Sequence, residues 1–328
     1  MRPKTARLIV ALTLTVLAAQ PAAAAQQAAK VPRVGFLFPG PTAAATTRIA
    51  AFLEGLRGMG YVQGQNVTLE SRVAENKPEQ LPPLAADLAR LPVDVVLAVS
   101  PVAVQAARGA TKTIPIVAVD LETDPVAAGL VASLARPGGN ITGMFFDFPD
   151  FSGKWLELLK EAVPRLSRVA VFWDPGTGPV QLKAAEAAAK SLGLQLQILE
   201  VRAPTDFERA LRSAVQGRAG GLLALSSPAV GMNPRSIADL VVRNRLPAIS
   251  LFTEFAEAGG LMAYGANLHD LFLQAGRLVG KVLQGTKPAE LPAERPTRFE
   301  LVVNLKTAKA LGLTIPASIM VRATQVIQ

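Results

Sequence analysis

The residues best equipped for chemistry stand together at Asp120-Leu121-Glu122-Thr123-Asp124-Pro125, three carboxylates at alternate positions. Alternate acids at a strand end can converge on a hard cation, because calcium and magnesium take oxygen ligands. The same cluster would be the working group of an exported α/β hydrolase or lyase. A simpler role competes with both: Asp124 before Pro125 reads as an N-cap followed by the first residue of a helix. Little else offers catalysis. His269 is the only histidine, beside Asp270 at the start of a helical pattern, and there is no cysteine. That excludes disulfides and thiolate chemistry and is compatible with an oxidising compartment. No G-x-S-x-G elbow, P-loop or G-x-G-x-x-G after a strand occurs. The expectation is a binding protein rather than an enzyme, with no cofactor and no metal.

The acidic tip needs a frame, and the flanking sequence supplies one. Ile114–Val119 is a β-branched run that reads as a buried strand. A helix is expected from Val126 to about Ala135, stopped by Arg136-Pro137-Gly138-Gly139-Asn140 before the chain resumes at Ile141. Upstream, strands over Val34–Phe38, Val67–Val73 and Asp94–Val99 alternate with helices over Thr42–Met59, Leu81–Leu91 and Val102–Gly109. This strict alternation predicts a parallel sheet covered on both faces.

The second half repeats the first. Val163-Pro164-Arg165 before Val169–Trp173 echoes Val31-Pro32-Arg33, and Asp174-Pro175-Gly176 echoes Phe38-Pro39-Gly40. Ser226-Ser227-Pro228-Ala229-Val230 resembles Ser100-Pro101-Val102-Ala103-Val104, and Leu246-Pro247-Ala248-Ile249-Ser250 matches Ile114-Pro115-Ile116-Val117-Ala118. Four pairings in one order predict two similar Rossmann-like α/β lobes. The remaining elements are strand Gly260–Tyr264, helix Leu268–Leu283, the Pro-rich connection Lys287–Pro296, strand Glu300–Asn304 and helix Lys306–Leu311. They read as returns, one to each lobe.

Open parallel sheets bind ligands beyond the carboxyl ends of their strands, so two facing lobes make a cleft. The candidate ligand-binding residues lie at those tips: Pro41, Thr42 and Thr46; Ser100 and Pro101; Glu122, Thr123 and Asp124; Asp174 and Gly176; Ser226 and Ser227; Phe252; and Tyr264. Several precede helices, whose free N–H groups can receive a carboxylate, although Ser and Thr there also serve as ordinary caps. Phe252, Tyr264 and Trp173 could stack on a ligand, whereas Trp155, in phase with Leu158 and Leu159, reads as core.

A chain of 328 residues exceeds what one core usually supports. Arg2, Lys4 and Arg7, the apolar stretch Leu8–Ala19 and the small residues Ala22–Ala25 form a signal-peptide pattern, too short for a membrane span. No cysteine follows it for lipid attachment. The net charge of +9 falls to about +6 without that segment and is scattered, which argues against nucleic-acid binding.

Longer motifs carry a family resemblance. Phe52-Leu53-Glu54-Gly55-Leu56-Arg57 with Gly60-Tyr61-Val62-Gln63-Gly64-Gln65-Asn66, then Asp124-Pro125-Val126 with Gly129-Leu130-Val131, form its first part. Arg136 to Gly143, Glu257 to Gly265 and Asn304 to Pro316 complete it. Together they resemble the ABC-transporter substrate-binding family that includes tryptophan/tyrosine-type binding proteins. The resemblance implies a type I periplasmic-binding fold with three interlobe crossings. It divides the chain into a signal peptide (1–25), an N-terminal lobe (31–143 plus 264–287) and a C-terminal lobe (144–263 plus 288–328). It also implies a monomer in the periplasm that delivers a small polar, aromatic-carboxylate or amino-acid-like solute to an inner-membrane permease and ATPase. A ligand sensor feeding a receptor would share the fold. The family's aromatic amino-acid binders usually carry an Asp after the strand tip where this chain has Ser226-Ser227-Pro228.

Overall fold

Strands β1 (Arg33–Phe38), β2 (Thr68–Val73), β3 (Val95–Val99), β4 (Ile116–Asp120) and β5 (Ile141–Phe145) lie parallel in the order β2-β1-β3-β4-β5. Every residue of β3, β4 and β5 is buried, as continuous apolar runs in a sheet covered on both faces require. Helices α1 (Thr42–Arg57), α2 (Leu81–Arg90) and α3 (Pro101–Ala110) connect them. The computed structural model describes residues 30–146 and 148–328; the signal peptide expected over 1–25 lies outside these. Residues 32–328 form one unit, and among the described residues no helix is long and apolar enough to cross a membrane.

The second lobe opens with α4 (Phe148–Ala162) and continues through β6 (Arg168–Trp173), α5 (Val180–Leu192), β7 (Gln195–Glu200), α6 (Phe207–Gln216) and β8 (Gly221–Ala224). Then come α7 (Pro228–Gly231), α8 (Pro234–Arg243), β9 (Ala248–Ser250), α9 (Thr253–Glu257) and β10 (Met262–Ala266). After α10 (Leu268–Leu283), the chain adds β11 (Phe299–Asn304), α11 (Leu305–Ala310), α12 (Ala317–Arg322) and β12 (Gln325–Ile327). The seven-stranded sheet runs β12-β11-β10-β9-β8-β6-β7, parallel except for the β10–β11 pair.

Three departures from the sequence reading have physical causes. Residues 126–135 form no helix. Asp124 does cap, its Oδ1 accepting from the Val126 and Ala127 N–H groups at 3.0 and 3.1 Å. The turn ends within five residues, because Gly129 adopts φ 63° and the Pro125 carbonyl takes the N–H groups of both Leu130 and Val131. Those two side chains are buried in the first lobe, while Val126 stays 45% exposed, so no second helical turn would bury an apolar face.

The late strands do not return one to each lobe either: β10, β11 and β12 all join the second sheet, and the return to the first is made by α10 and the segment that follows it to Glu294. Helix α10 packs on α1 with backbones almost touching. A Cβ at Gly55 would lie 2.0 Å from the Leu273 carbonyl oxygen, and one at Gly276 would lie 2.3 Å from that of Phe52. Finally, the second crossing follows Ala266 rather than preceding Tyr264, and the third follows Glu294 rather than Lys287. Residues 291–294 bond along the edge strand β5: Thr142 Oγ1 donates to the Leu291 carbonyl at 2.8 Å, and Glu294 exchanges backbone hydrogen bonds with Gly143 and Phe145. The Pro-rich segment thus covers a sheet edge that would otherwise expose unpaired backbone groups.

Each crossing brings a ring to one cluster. Phe146, Tyr264 and Phe299 gather around Phe151, with Phe151 centroids 4.3, 5.6 and 4.8 Å from the three respectively. Buried Trp155 donates its indole N–H to the Tyr264 carbonyl at 2.6 Å.

Candidate ligand site between the lobes

The strand tips of the two lobes meet around a small, half-open cavity of about 50 Å³. The first lobe contributes Phe38, Val99, Ser100, Val119, Leu121 and Glu122, with Arg48 from α1. The second contributes Ser227, Pro228, Gly231, Met232 and Phe252, and Leu268, Leu271 and Phe272 of α10 line the rest. The lining is mainly apolar and carries two charged residues, Arg48 and Glu122. Ligand sites commonly combine such an apolar lining with a few placed polar groups.

The β4 tip aims Glu122 by local hydrogen bonding. Asp120 Oδ1 accepts from the N–H groups of Glu122 and Thr123, each at 3.0 Å, folding the chain back over the strand end. Both acids are buried. Burial pushes Asp120 up to about 6. Burial, and then repulsion from Asp120, push Glu122 up to about 8. Loss of water disfavours the ionised form when no opposite charge replaces it.

From the opposite lobe, Ser226 Oγ donates to Glu122 Oε1 at 2.5 Å. Ser226 is itself clamped by the buried side-chain amide of Gln181 on α5. Gln181 Oε1 accepts from the Ser226 N–H at 2.8 Å, and its Nε2 donates to the Ser226 carbonyl at 2.9 Å. A second tie joins the lobes nearby, where Arg48 Nη2 donates to Glu254 Oε1 of α9 at 3.0 Å. Glu254 Oε2 is buried without a hydrogen-bond partner.

The cavity gathers four of the residues expected from the sequence: Ser100, Glu122, Ser227 and Phe252. Ser226 touches it through Glu122. Ser100 and Ser227 also cap helices, accepting from the Ala103 and Val230 N–H groups at 3.5 and 3.2 Å. Ser100 holds φ 85° and ψ 158°, a region disfavoured for residues with a Cβ and characteristic of functional sites.

The other expected residues lie outside the cavity. Thr42 and Thr46 are exposed on the first turns of α1. Thr42 bonds to Glu75 through both its N–H and its hydroxyl, and Thr46 donates to the Thr42 carbonyl. Pro41 precedes them and lines no part of the cavity. Pro101 faces a separate surface groove shared with Gly176. Thr123 is half-buried beside the tip turn, and Asp124 is committed to its cap. Asp174 accepts from the Gly176 N–H at 2.8 Å, and burial raises its pKa. Tyr264 belongs to the aromatic cluster. Among the described residues no three acidic or imidazole side chains converge as a metal site requires.

Arg48, Gln181, Met232 and the α10 face went unread in the sequence. Gln181 alone left a signal, a polar residue in phase with the buried face of α5.

The profile of the ABC transporter substrate binding protein family matches residues 41–327. The chain belongs to that family. Several known proteins are similar to it along most of its length. A tyrosine-binding protein of Clostridioides difficile is 27% identical over 264 residues, covering 80% of this chain and 75% of its own length. A conserved domain protein from Vibrio cholerae superposes with a TM-score of 0.84 at 27% identity, over 90% of this chain and 100% of that one. A Streptococcus domain solved in complex with L-Trp gives a TM-score of 0.83 at 24% identity, over 90% and 99% of the two chains. The two-lobed α/β architecture is accordingly a type I periplasmic-binding fold, and the chain is a substrate-binding protein of the ABC transporter family.

Proposed function

We propose that this family member is the exported, periplasmic solute-binding component of an ABC importer, closing its lobes as a monomer over a small amino-acid-like or aromatic carboxylate ligand. One observation carries the reading: an interlobe cavity, apolar on most of its surface, holds one guanidinium and one carboxyl group from the same lobe. Arg48 suits a carboxylate, since its planar fork matches carboxylate geometry, and among the described residues only one of its nitrogens is hydrogen-bonded. Glu122 suits a hydrogen-bond donor or a cation. Phe38, Met232, Phe252 and Phe272 suit the ligand's apolar body. The tyrosine- and L-Trp-binding relatives point to the same chemistry.

Closure then works by population shift. A ligand that touches both lobes favours the closed arrangement by the difference in its affinity for the two states. The closed face is what a membrane permease, coupled to its ATPase, would recognise. An enzymatic role for the acidic tip is less well supported, because Asp120 is engaged in its own turn and Asp124 in its cap. Calorimetric titration of the mature chain against amino acids and aromatic acids tests the proposal. One ligand per chain is expected, and failure of every such solute to bind would refute it.

A further inference from the structure

Closing the lobes places Glu122 in an environment it does not have when they part. In the closed arrangement Glu122 is 5% exposed, its Oε1 meets Ser226 of the other lobe, and it faces the cavity. The charged groups around it offer no compensation. Asp120, from its own strand end, and Asp174, from the facing lobe, are both acidic and both repel it. Arg48 lines the same cavity but is tied to Glu254 on α9. Gln181 and Ser226 are neutral. Among the described residues no basic side chain pairs with Glu122. An ionised carboxylate sealed there would be both desolvated and repelled, which is costly unless the group is paired or neutralised.

We propose that Glu122 is the specificity-determining residue of this cavity: lobes that close without a cation beside it must take up a proton, and a ligand with an ammonium head stands in for that proton. The inference rests on the cavity being the solute site. With the lobes apart, Glu122 regains water and keeps only Asp120 beside it, so its ionisation falls back toward the ordinary carboxylate value from about 8 when closed. Between these values, proton linkage makes empty closure about tenfold less favourable per unit rise in pH. An ammonium-bearing solute closes the lobes over an ionised Glu122 and escapes that dependence. A solute with a carboxylate but no amine closes them only over a protonated one. The cavity therefore discriminates between an amino acid and its deaminated analogue, most strongly at neutral and alkaline pH.

Two measurements test this on the mature chain. The first follows the closed fraction of the empty protein from pH 6 to 7.5, by energy transfer between one introduced cysteine on each lobe. The chain has no cysteine of its own to interfere. The open-to-closed ratio should change about tenfold per pH unit in wild type and stay flat in Glu122→Gln. In Ser226→Ala, which keeps the carboxyl group, the slope should persist. The second titrates L-tryptophan and 3-indolepropionate calorimetrically in buffers of different ionisation enthalpy. The deaminated ligand should bind with uptake of about one proton more than the amino acid, a difference that Glu122→Gln should erase.

A flat wild-type closure profile, or equal proton counts for the two ligands, would overturn the assignment of Glu122. Failure of both ligands to bind, with the empty protein still closing on acidification, would instead overturn the solute reading and leave the proton-coupled closure standing.

Discussion

Two ties join the lobes beside one cavity, and they are chemically unlike. Glu122 to Ser226 is a carboxyl group against a hydroxyl, both sealed from water and without a counter-charge. Arg48 to Glu254 is a full ion pair whose side chains remain 12% and 29% exposed. Near water such a pair gains little net stability, because screening and desolvation offset its attraction. The sealed tie is the more discriminating. Its carboxyl group tolerates a proton or a cation and little else, whereas the ion pair chiefly holds Arg48 where a ligand carboxylate can reach it.

The contrast can be broken from either side, and the sealed tie should give the larger effect. Ser226→Asp sets a second carboxylate against Glu122, and buried like charges are strongly unfavourable. Affinity at pH 7 should fall by about a hundredfold or more, read by calorimetry, and recover partly on acidification. Removing the guanidinium with Arg48→Ala should weaken carboxylate-bearing ligands by about tenfold to a hundredfold. Most of that loss should appear as faster dissociation in stopped-flow traces.

Glu254→Gln keeps an acceptor for Arg48 and removes only the charge. Its effect on affinity should stay within about threefold, the scale of a partly exposed pair, and the dependence of closure on salt should diminish. Smallest for binding is Asp124→Ala, outside the cavity. It should leave affinity unchanged while lowering stability by about 1 kcal/mol through the lost cap, read by urea denaturation. A substantial affinity loss there would extend the ligand site along the acidic tip.

Stability against pH sharpens the same contrast. The closed pKa of Glu122 lies above its unfolded value, so between about 4.5 and 8 the closed fold holds a proton that the unfolded chain has released. Stability contributed by this group is therefore complete below 4.5 and declines as pH rises toward 8. Thermal melts of wild type and Glu122→Gln should diverge over that interval, the variant being the less sensitive to rising pH.

The uneven legibility of the chain follows from which interactions are local. The runs Val34–Phe38 and Ile116–Val119 announce buried parallel strands because both faces are covered, and the repeated Pro-containing tips announce two lobes. Glu122 and Ser226 are visible as tip residues, but nothing local says that residues 104 positions apart will meet. Arg48 and Gln181 sit within helices where polar residues ordinarily face water, and only the second lobe's position turns Arg48 inward. The segment after Asp124 misled for the opposite reason. Its cap is a sound local signal, yet Gly129 and the burial of Leu130 and Val131 end the helix that the cap would start. Likewise the Pro-rich stretch 287–296 hides its pairing with β5, because edge-covering backbone contacts leave no side-chain periodicity.

Small-angle scattering of the mature chain at pH 7, empty and with saturating L-tyrosine or L-tryptophan, tests the interlobe site most directly. The account predicts that either ligand contracts the particle to the closed shape in which Ser226 meets Glu122, and that Ser226→Asp prevents the contraction. Saturable binding that leaves the scattering profile unchanged, with Ser226→Asp binding as tightly as wild type, would contradict it.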